Sequence, residues 1–402
     1  MLDVEVQTSD YRKYWLLDSE VTFLNHGSFG ACPIPVLQRQ TQLREQLERQ
    51  PVHFFVREWE LLLDQARRQL AEFLGVTAEE LVFVPNATTG INSVLRSLCF
   101  SPTDELLTTN HEYNACRNAL NFVAERWGAK VTIANIPFPL DSSDEIISSI
   151  LQQITPKTKL VLIDHISSQT GLIFPLKPLI QELNSRGIES LVDGAHAPGM
   201  LPLNLPEIGA TYYSGNCHKW LSAPKGAAFL YVHPDKQNKI HPVTISHGAN
   251  SPRTDRSRFQ LEFDWMGTHD PTAYFCIPEA IKFMGSLLPG GWSELIKLNH
   301  NTVIAARKKL SEKLAVVLPC PDEMIGAMAT IILPEKMQLI PNLQTQLWDQ
   351  FKIEVPIIPW ENQPQKLMRI SAQVYNPNSD YDQLAEALLC LISFNEKRTG
   401  IV

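Results

Sequence analysis

Lys219 stands at the end of an apolar run, in Tyr213-Ser-Gly-Asn-Cys-His-Lys219-Trp220, between an imidazole and an indole. A lysine held there is desolvated, its pKa falls, and its amine becomes nucleophilic toward an aldehyde. Asp193 has a similar place in Leu191-Val-Asp-Gly-Ala-His-Ala-Pro-Gly199, at a strand end, where ligands of open α/β sheets collect. The segment Phe83-Val-Pro-Asn-Ala-Thr-Thr-Gly90 runs from a strand into small polar residues and then an apolar-periodic helix. The N–H groups and hydroxyls around Thr88 and Thr89 would form a phosphate cradle there. Tyr113, in His111-Glu-Tyr113-Asn114, follows another strand and could lie flat on a planar ring. Singly, each has an ordinary reading: a snorkelling surface lysine, an Asp capping its turn, N-capping threonines, a stray aromatic. Together, a phosphate cradle, an aromatic platform, an acid for a ring nitrogen and a Schiff-base lysine point to pyridoxal 5′-phosphate.

Such residues need a sheet whose strand ends gather on one edge. Between about residues 80 and 235, short β-rich runs alternate with helical patterns, which specifies a mostly parallel sheet covered on both faces. Seven strands are expected: Leu81-Val84, Leu106-Thr109, Lys130-Ala134, Leu160-Asp164, Glu189-Asp193, Ala210-Ser214 and Ala227-Val232. Helices at Val36-Arg49 and Arg57-Leu74, joined by a linker containing Pro51, brace it. A helical stretch from Pro278 to Leu318, broken at Pro289-Gly290-Gly291, leads to a second unit. There Met328-Leu333, Val355-Ile358 and Leu367-Ser371 read as strands, and Leu343-Phe351 and Tyr381-Phe394 as helices, an antiparallel α+β pattern. The expected division is an N-terminal segment (1–25), a large cofactor-binding domain (26–277) and a small C-terminal domain (278–402).

The 402 residues are 44% hydrophobic and 19% charged, so there is ample apolar surface to bury. The net charge of −8, with scattered Lys and Arg, argues against a nucleic-acid partner. Seven cysteines without a CxxC pair suit a reducing cytoplasm, and apart from Cys217, which is expected to pack rather than react, they stand in segments unrelated to the site. The start Met1-Leu-Asp-Val-Glu-Val lacks the pattern of a signal peptide, and no apolar run approaches the roughly 18 residues of a membrane span. A soluble, cytoplasmic protein with no membrane partner is expected.

The order and spacing of these motifs resemble the class V aminotransferase family of fold-type I pyridoxal-phosphate enzymes, within it the isopenicillin N epimerase-like branch that neighbours cysteine desulfurases. The resemblance runs from Leu24-Asn-His-Gly-Ser-Phe-Gly30 to Met368-Arg-Ile-Ser371, and Asp-Gly-Ala-His-Ala-Pro-Gly with His-Lys-Trp carries it. It implies an α/β fold with a seven-stranded, mostly parallel sheet and a smaller α+β C-terminal domain. It makes Lys219 the Schiff-base lysine and Asp193 the partner of the pyridine nitrogen. His196 and Ser168, in Ile166-Ser-Ser-Gln-Thr-Gly171, would lie near the ring's 3-oxygen, with Tyr113 on its face. Thr88, Thr89, Asn216 and His218 are the implied phosphate ligands. Thr268, in Met266-Gly-Thr-His-Asp270, would reach a phosphate across the interface of a homodimer. Arg369 would clamp the carboxylate of an amino-acid substrate, with Asn25 and His26 bordering its pocket.

The residues leave the reaction open. Epimerisation or racemisation at an α-carbon needs proton access to both faces; Lys219 serves one, and Tyr113 or a water the other. Cysteine or cysteine-sulfoxide β-elimination, a C–S lyase reaction, would need the same residues. Transamination would require a keto-acid half-reaction. A persulfide relay is disfavoured because Phe351 to Met368 contains no cysteine, where desulfurases of this family carry one. A scaffold without catalysis would not need both Lys219 and Asp193. Branch resemblance puts the epimerase first.

Overall fold

The computed structural model describes residues 8–360 and 365–399. The opening hexapeptide and small parts of the expected C-terminal domain lie outside the described residues. Seven strands form the central sheet: β1 (Leu81–Val84), β2 (Glu105–Thr109), β3 (Lys130–Ala134), β4 (Thr158–Asp164), β5 (Glu189–Asp193), β6 (Tyr212–Asn216) and β7 (Ala228–Val232). Their order is β1-β7-β6-β5-β4-β2-β3. All neighbours are parallel except β7, which runs antiparallel to both β1 and β6. The inner strands β6 and β7 are buried at every position, as expected of a sheet covered on both faces. The edge strand β3 alternates toward solvent and starts with exposed Lys130, which discourages further pairing. Register brings Asp164, Asp193 and Ser214 side by side at one edge.

Helices α1 (Ile34–Arg49), α2 (Trp59–Leu74), α3 (Ala87–Ser97) and α4 (Asn114–Trp127) precede or interleave with the first strands. Pro51 does not sit in an open linker: it starts a short helical turn that continues through a π-helical turn, Phe54–Glu58, into α2. Proline suits a first helical turn, where its missing N–H is no loss. The expected break at Pro289 separates α5 (Ile277–Gly285) from α6 (Gly291–Leu314). The expected strand at Val355–Ile358 is two pieces. Ile353–Glu354 pairs parallel with Thr22–Phe23, and β8 (Ile357–Pro359) pairs with the strand Lys366–Ser371, because Pro356, lying between them, has no N–H to continue one ladder. That strand, β9, also pairs antiparallel with Met328–Ile332 in a three-stranded sheet. The last helix, Asn378–Thr399, packs against α6. One apolar core joins both sheets, from Leu43 and Leu70 through Val192 and Tyr213 to Met328 and Leu388.

Candidate active site

The C-terminal ends of β1, β2, β4, β5 and β6 open on one cavity of about 510 Å3. Lys219, Asp193, His196, Tyr113, Thr88, Ser168, Asn216 and His218 all line it. Lys219 Nζ lies 3.1 Å from His196 Nε2. Burial, opposed in part by the charge of Asp193, pushes the lysine down to about 8. Burial and the nearby charges of Lys219 and Arg369 hold His196 well below the ordinary imidazole range, so it is a neutral ring beside the amine. Its buried Nδ1 has no hydrogen-bond partner among the described residues.

The lysine turn is held from behind by the N-terminal segment. His26 is fully buried, and burial pushes its pKa down to about 3, so the ring is neutral. Nε2–H donates to the Lys219 carbonyl at 3.1 Å, and Nδ1 accepts from the Tyr375 hydroxyl at 2.7 Å. On the facing wall, Asp193 is 3% exposed. Its carboxylate accepts from the Ala195 N–H at 2.9 Å and from the Cys116 thiol at 3.0 Å. Cys116 therefore corrects the expectation that the other cysteines stand in unrelated segments: the first turn of α4 brings its thiol to the acid at the end of β5. Cys217, as expected, is buried in the core.

At the start of α3 the capping oxygen belongs to Asn86, not to either threonine. Its Oδ1 accepts from the Thr89 N–H at 2.8 Å and the Thr89 hydroxyl at 3.0 Å. Asn216 Oδ1 takes the Ala87 N–H at 2.8 Å, which ties β6 to the helix start. Thr88 is left facing the cavity, whereas Thr89 does not line it. His218 Nδ1–H donates to the Ala227 carbonyl at 2.9 Å, and burial pushes its pKa down to about 4. Tyr113 is 44% exposed at the position just before α4.

Arg369 is buried behind the cavity wall. Its guanidinium donates to the Ser168 carbonyl, to Ser28 Oγ at 3.0 Å and to Asn25 Oδ1 at 3.3 Å, while its Nε has no partner. Asn25 in turn donates to Glu354 at 3.0 Å. Neither Asn25, His26 nor Arg369 lines the cavity itself, although Ser28 and Ser168, which touch the guanidinium, do. Thr268 is exposed and lies outside the cavity of its own chain. The segment from Gly248 to Trp265, which carries Arg253, Arg256 and Arg258, is tied to α2 by Arg256–Asp64 contacts of 2.6 Å and does not line the cavity. Sequence reasoning did not assign Asn86, Ser28, Lys225 or Asp164, all of which line the cavity. Asp164 carried the one available signal, an acid at a strand end like Asp193.

The sequence pattern of the class-V aminotransferases matches residues 31–329. The chain belongs to this family. Isopenicillin N epimerase of Streptomyces clavuligerus is 34% identical over 93% of this chain and 95% of its own. A probable chloroplastic L-cysteine desulfhydrase of Arabidopsis thaliana is 30% identical over 96% of this chain and 86% of its own. Among solved structures, the cystine C–S lyase C-DES, in complex with its product cysteine persulfide, superposes with a TM-score of 0.76. It is 21% identical, over 92% of this chain and 97% of that one. The family uses pyridoxal 5′-phosphate, and the residues present fit that group. A depressed lysine faces a buried carboxylate across a cavity, with an unpartnered imidazole nitrogen beside it and a helix start at its rim. This class-V chain thus has a buried lysine and a buried acid on one cavity, and its relatives include both an isopenicillin N epimerase and an L-cysteine desulfhydrase.

Proposed function

We propose that the protein moves a proton at the α-carbon of an amino-acid substrate, as an isopenicillin N epimerase-like epimerase or racemase. The observation that carries this reading is Lys219, pushed down to about 8 and 3.1 Å from a neutral His196, which makes it a base near neutral pH. When bound, pyridoxal 5′-phosphate draws electrons from the substrate α-carbon. Asp193 holds the ring nitrogen, Tyr113 covers one ring face, and Ser168 and His196 hold the 3-oxygen. Thr88, Thr89, Asn216 and His218 serve the phosphate, Thr89 and Asn216 by shaping the helix start. Arg369 attracts the substrate carboxylate through the Ser28 and Ser168 side of its guanidinium, with Asn25 orienting it and His26 holding the lysine turn. Lys219 exchanges the α-proton on one face, and Tyr113 or a water serves the other.

C–S lyase chemistry is the second reading, favoured by the 30% identity to a desulfhydrase. Aminotransfer and desulfuration follow. A homodimer accounts for the exposed position of Thr268, which would meet the partner's cavity. Val56, 74% exposed, lines the same surface depression as Trp265, close in sequence to Thr268, and leaves an apolar surface for a second copy to cover. No helix among the described residues is long and apolar enough to cross a membrane, and the cytoplasm is the proposed location.

The test is proton NMR of the cofactor-loaded enzyme in deuterium oxide with amino acids, cysteine and cysteine sulfoxides. Deuterium entering intact substrate with loss of chirality supports the epimerase. Pyruvate, ammonia and released sulfur make it a C–S lyase, and α-proton chemistry on no amino acid overturns the reading.

A further inference from the structure

Asp193 does not sit alone at the strand edge. Asp164 stands opposite it in register on the neighbouring parallel strand. Glu112, in the turn after β2, and Cys116, one helical turn further on, come close to it as well. One side-chain atom each of Glu112, Cys116 and Asp193 lie within 4.8 Å of one another, all buried. Both Glu112 carboxyl oxygens and one of Asp164 are buried without any hydrogen-bond partner among the described residues. The nearby cation Arg117 is committed to the Thr109 and Asn110 carbonyls, at 3.2 and 2.8 Å, and donates to none of these acids. Lys219, depressed as described, cannot neutralise three carboxylates.

A buried cluster of this kind cannot ionise throughout, because like charges a few ångströms apart in a low dielectric raise one another's pKa. Two donors, the Ala195 N–H and the Cys116 thiol, point at Asp193. Glu112 accepts no formed hydrogen bond among the described residues, and only the Tyr113 N–H lies near enough to favour its ionised form, the smallest of the influences on it. Burial first, then the Asp193 charge, holds the Glu112 carboxyl well above the ordinary carboxylate range, and burial, with the Asp193 charge adding to it, does the same for Asp164.

We propose that Glu112 is a positioning residue kept as the neutral acid, which with the Cys116 thiol confines the cluster's negative charge to Asp193. A second ionised carboxylate beside Asp193 would compete for the proton that Asp193 shares with the ring nitrogen. A neutral Glu112 leaves that proton with one partner, and the thiol, donating to Asp193, moderates how strongly the carboxylate holds it. This consequence rests on the proposed role of Asp193, but the protonation state of Glu112 does not. The infrared test below uses no substrate and survives failure of the proposed function.

The holoenzyme at neutral pH should show the C=O stretch of un-ionised carboxyl groups, and the wild-type minus Glu112→Gln difference spectrum should contain one such band. Loss of a carboxylate band in that difference spectrum overturns the proposal. So does absence of any un-ionised carboxyl band in the wild-type enzyme, a result that needs no variant to fold. Metal analysis is the third arm: a stoichiometric ion in the wild type that Glu112→Gln loses would mean that Glu112 is an ionised ligand. Finally, the visible absorption of the bound cofactor is titrated with pH. Cys116→Ala, which removes a donor from Asp193, should shift the midpoint upward, and Glu112→Gln, uncharged like the acid it replaces, should not. An upward shift in neither variant, or one in Glu112→Gln alone, overturns the pairing.

Discussion

Replacing Lys219 with Met in the cofactor-free protein removes an amine that folding takes out of water, with the charge of Asp193 offsetting the burial only in part and the neutral His196 as its hydrogen-bond partner. The lysine falls from its ordinary 10.5 to about 8, chiefly through burial. At about 1.4 kcal/mol per pH unit, that fall corresponds to a penalty of up to about 3 kcal/mol. The sign follows from proton counting. Between pH 8 and 10.5 the unfolded chain binds the proton and the folded one releases it, so this contribution makes stability rise with pH across that window. Below the window the penalty is fully present, and above it is absent. Lys219→Met, a swap of similar length, should therefore be more stable than the wild type by up to about 3 kcal/mol near neutral pH. The advantage should fade as the pH rises through the window. Urea unfolding followed by tryptophan fluorescence, at several pH values on both proteins, measures this. Tyrosines and cysteines titrate in both proteins and cancel in the difference. A stability difference that stays flat with pH would show that the amine is not depressed, and the argument that Lys219 is a base near neutrality would fall with it.

Three further outcomes are expected. His26→Ala strips the Lys219 carbonyl and the Tyr375 hydroxyl of a buried partner. At about 1–3 kcal/mol per orphaned group, chemical denaturation should register a loss of roughly 2–5 kcal/mol; a loss below about 1 kcal/mol would mean the brace is not formed. Gly199→Ala places a Cβ 2.6 Å from the Trp220–Leu221 backbone at a φ of +87°. The clash and the left-handed backbone should together cost about 2–5 kcal/mol in thermal or chemical unfolding, with the lysine turn displaced and cofactor retention reduced. Arg369→Lys keeps the charge but loses the fork, so steady-state kinetics should give a KM about 10- to 100-fold higher with a smaller change in kcat. An unchanged KM would remove Arg369 from substrate binding.

Much of the site was legible because its members lie where strands end, and strand ends are marked by the change from apolar runs to Asp193, Asn216 and Lys219. The central sheet was equally readable: β3 and β5 begin and end where their apolar patterns do. β6 instead starts two residues late, after Gly209 has ended a short helix and Thr211 has bonded to Ser190 across the sheet. What stayed hidden depends on long-range packing. Cys116 looks like any helical core residue until the first turn of α4 brings its thiol to Asp193, and His26 reads as a loop imidazole until Tyr375 and the Lys219 carbonyl close on it. The capping role passed to Asn86 because three plausible capping residues, Asn86, Thr88 and Thr89, fall within four positions, and only the actual first turn chooses among them.

The N-terminal brace also has a timing. Gly27 N–H is held by Ser371 Oγ at a separation of 344 residues, and Thr22–Phe23 pairs with Ile353–Glu354. At about 5–20 residues per second, Ser371 leaves the ribosome roughly 20–70 s after Gly27, so the segment that steadies Lys219 waits through most of translation for its partner. The central sheet can assemble on the growing chain well before then, with its lysine turn still unbraced. Completion of the setting of Lys219 is thus a late event in biosynthesis, and a chain cut short before β9 would carry every strand-end residue of the cavity yet lack the latch behind this lysine.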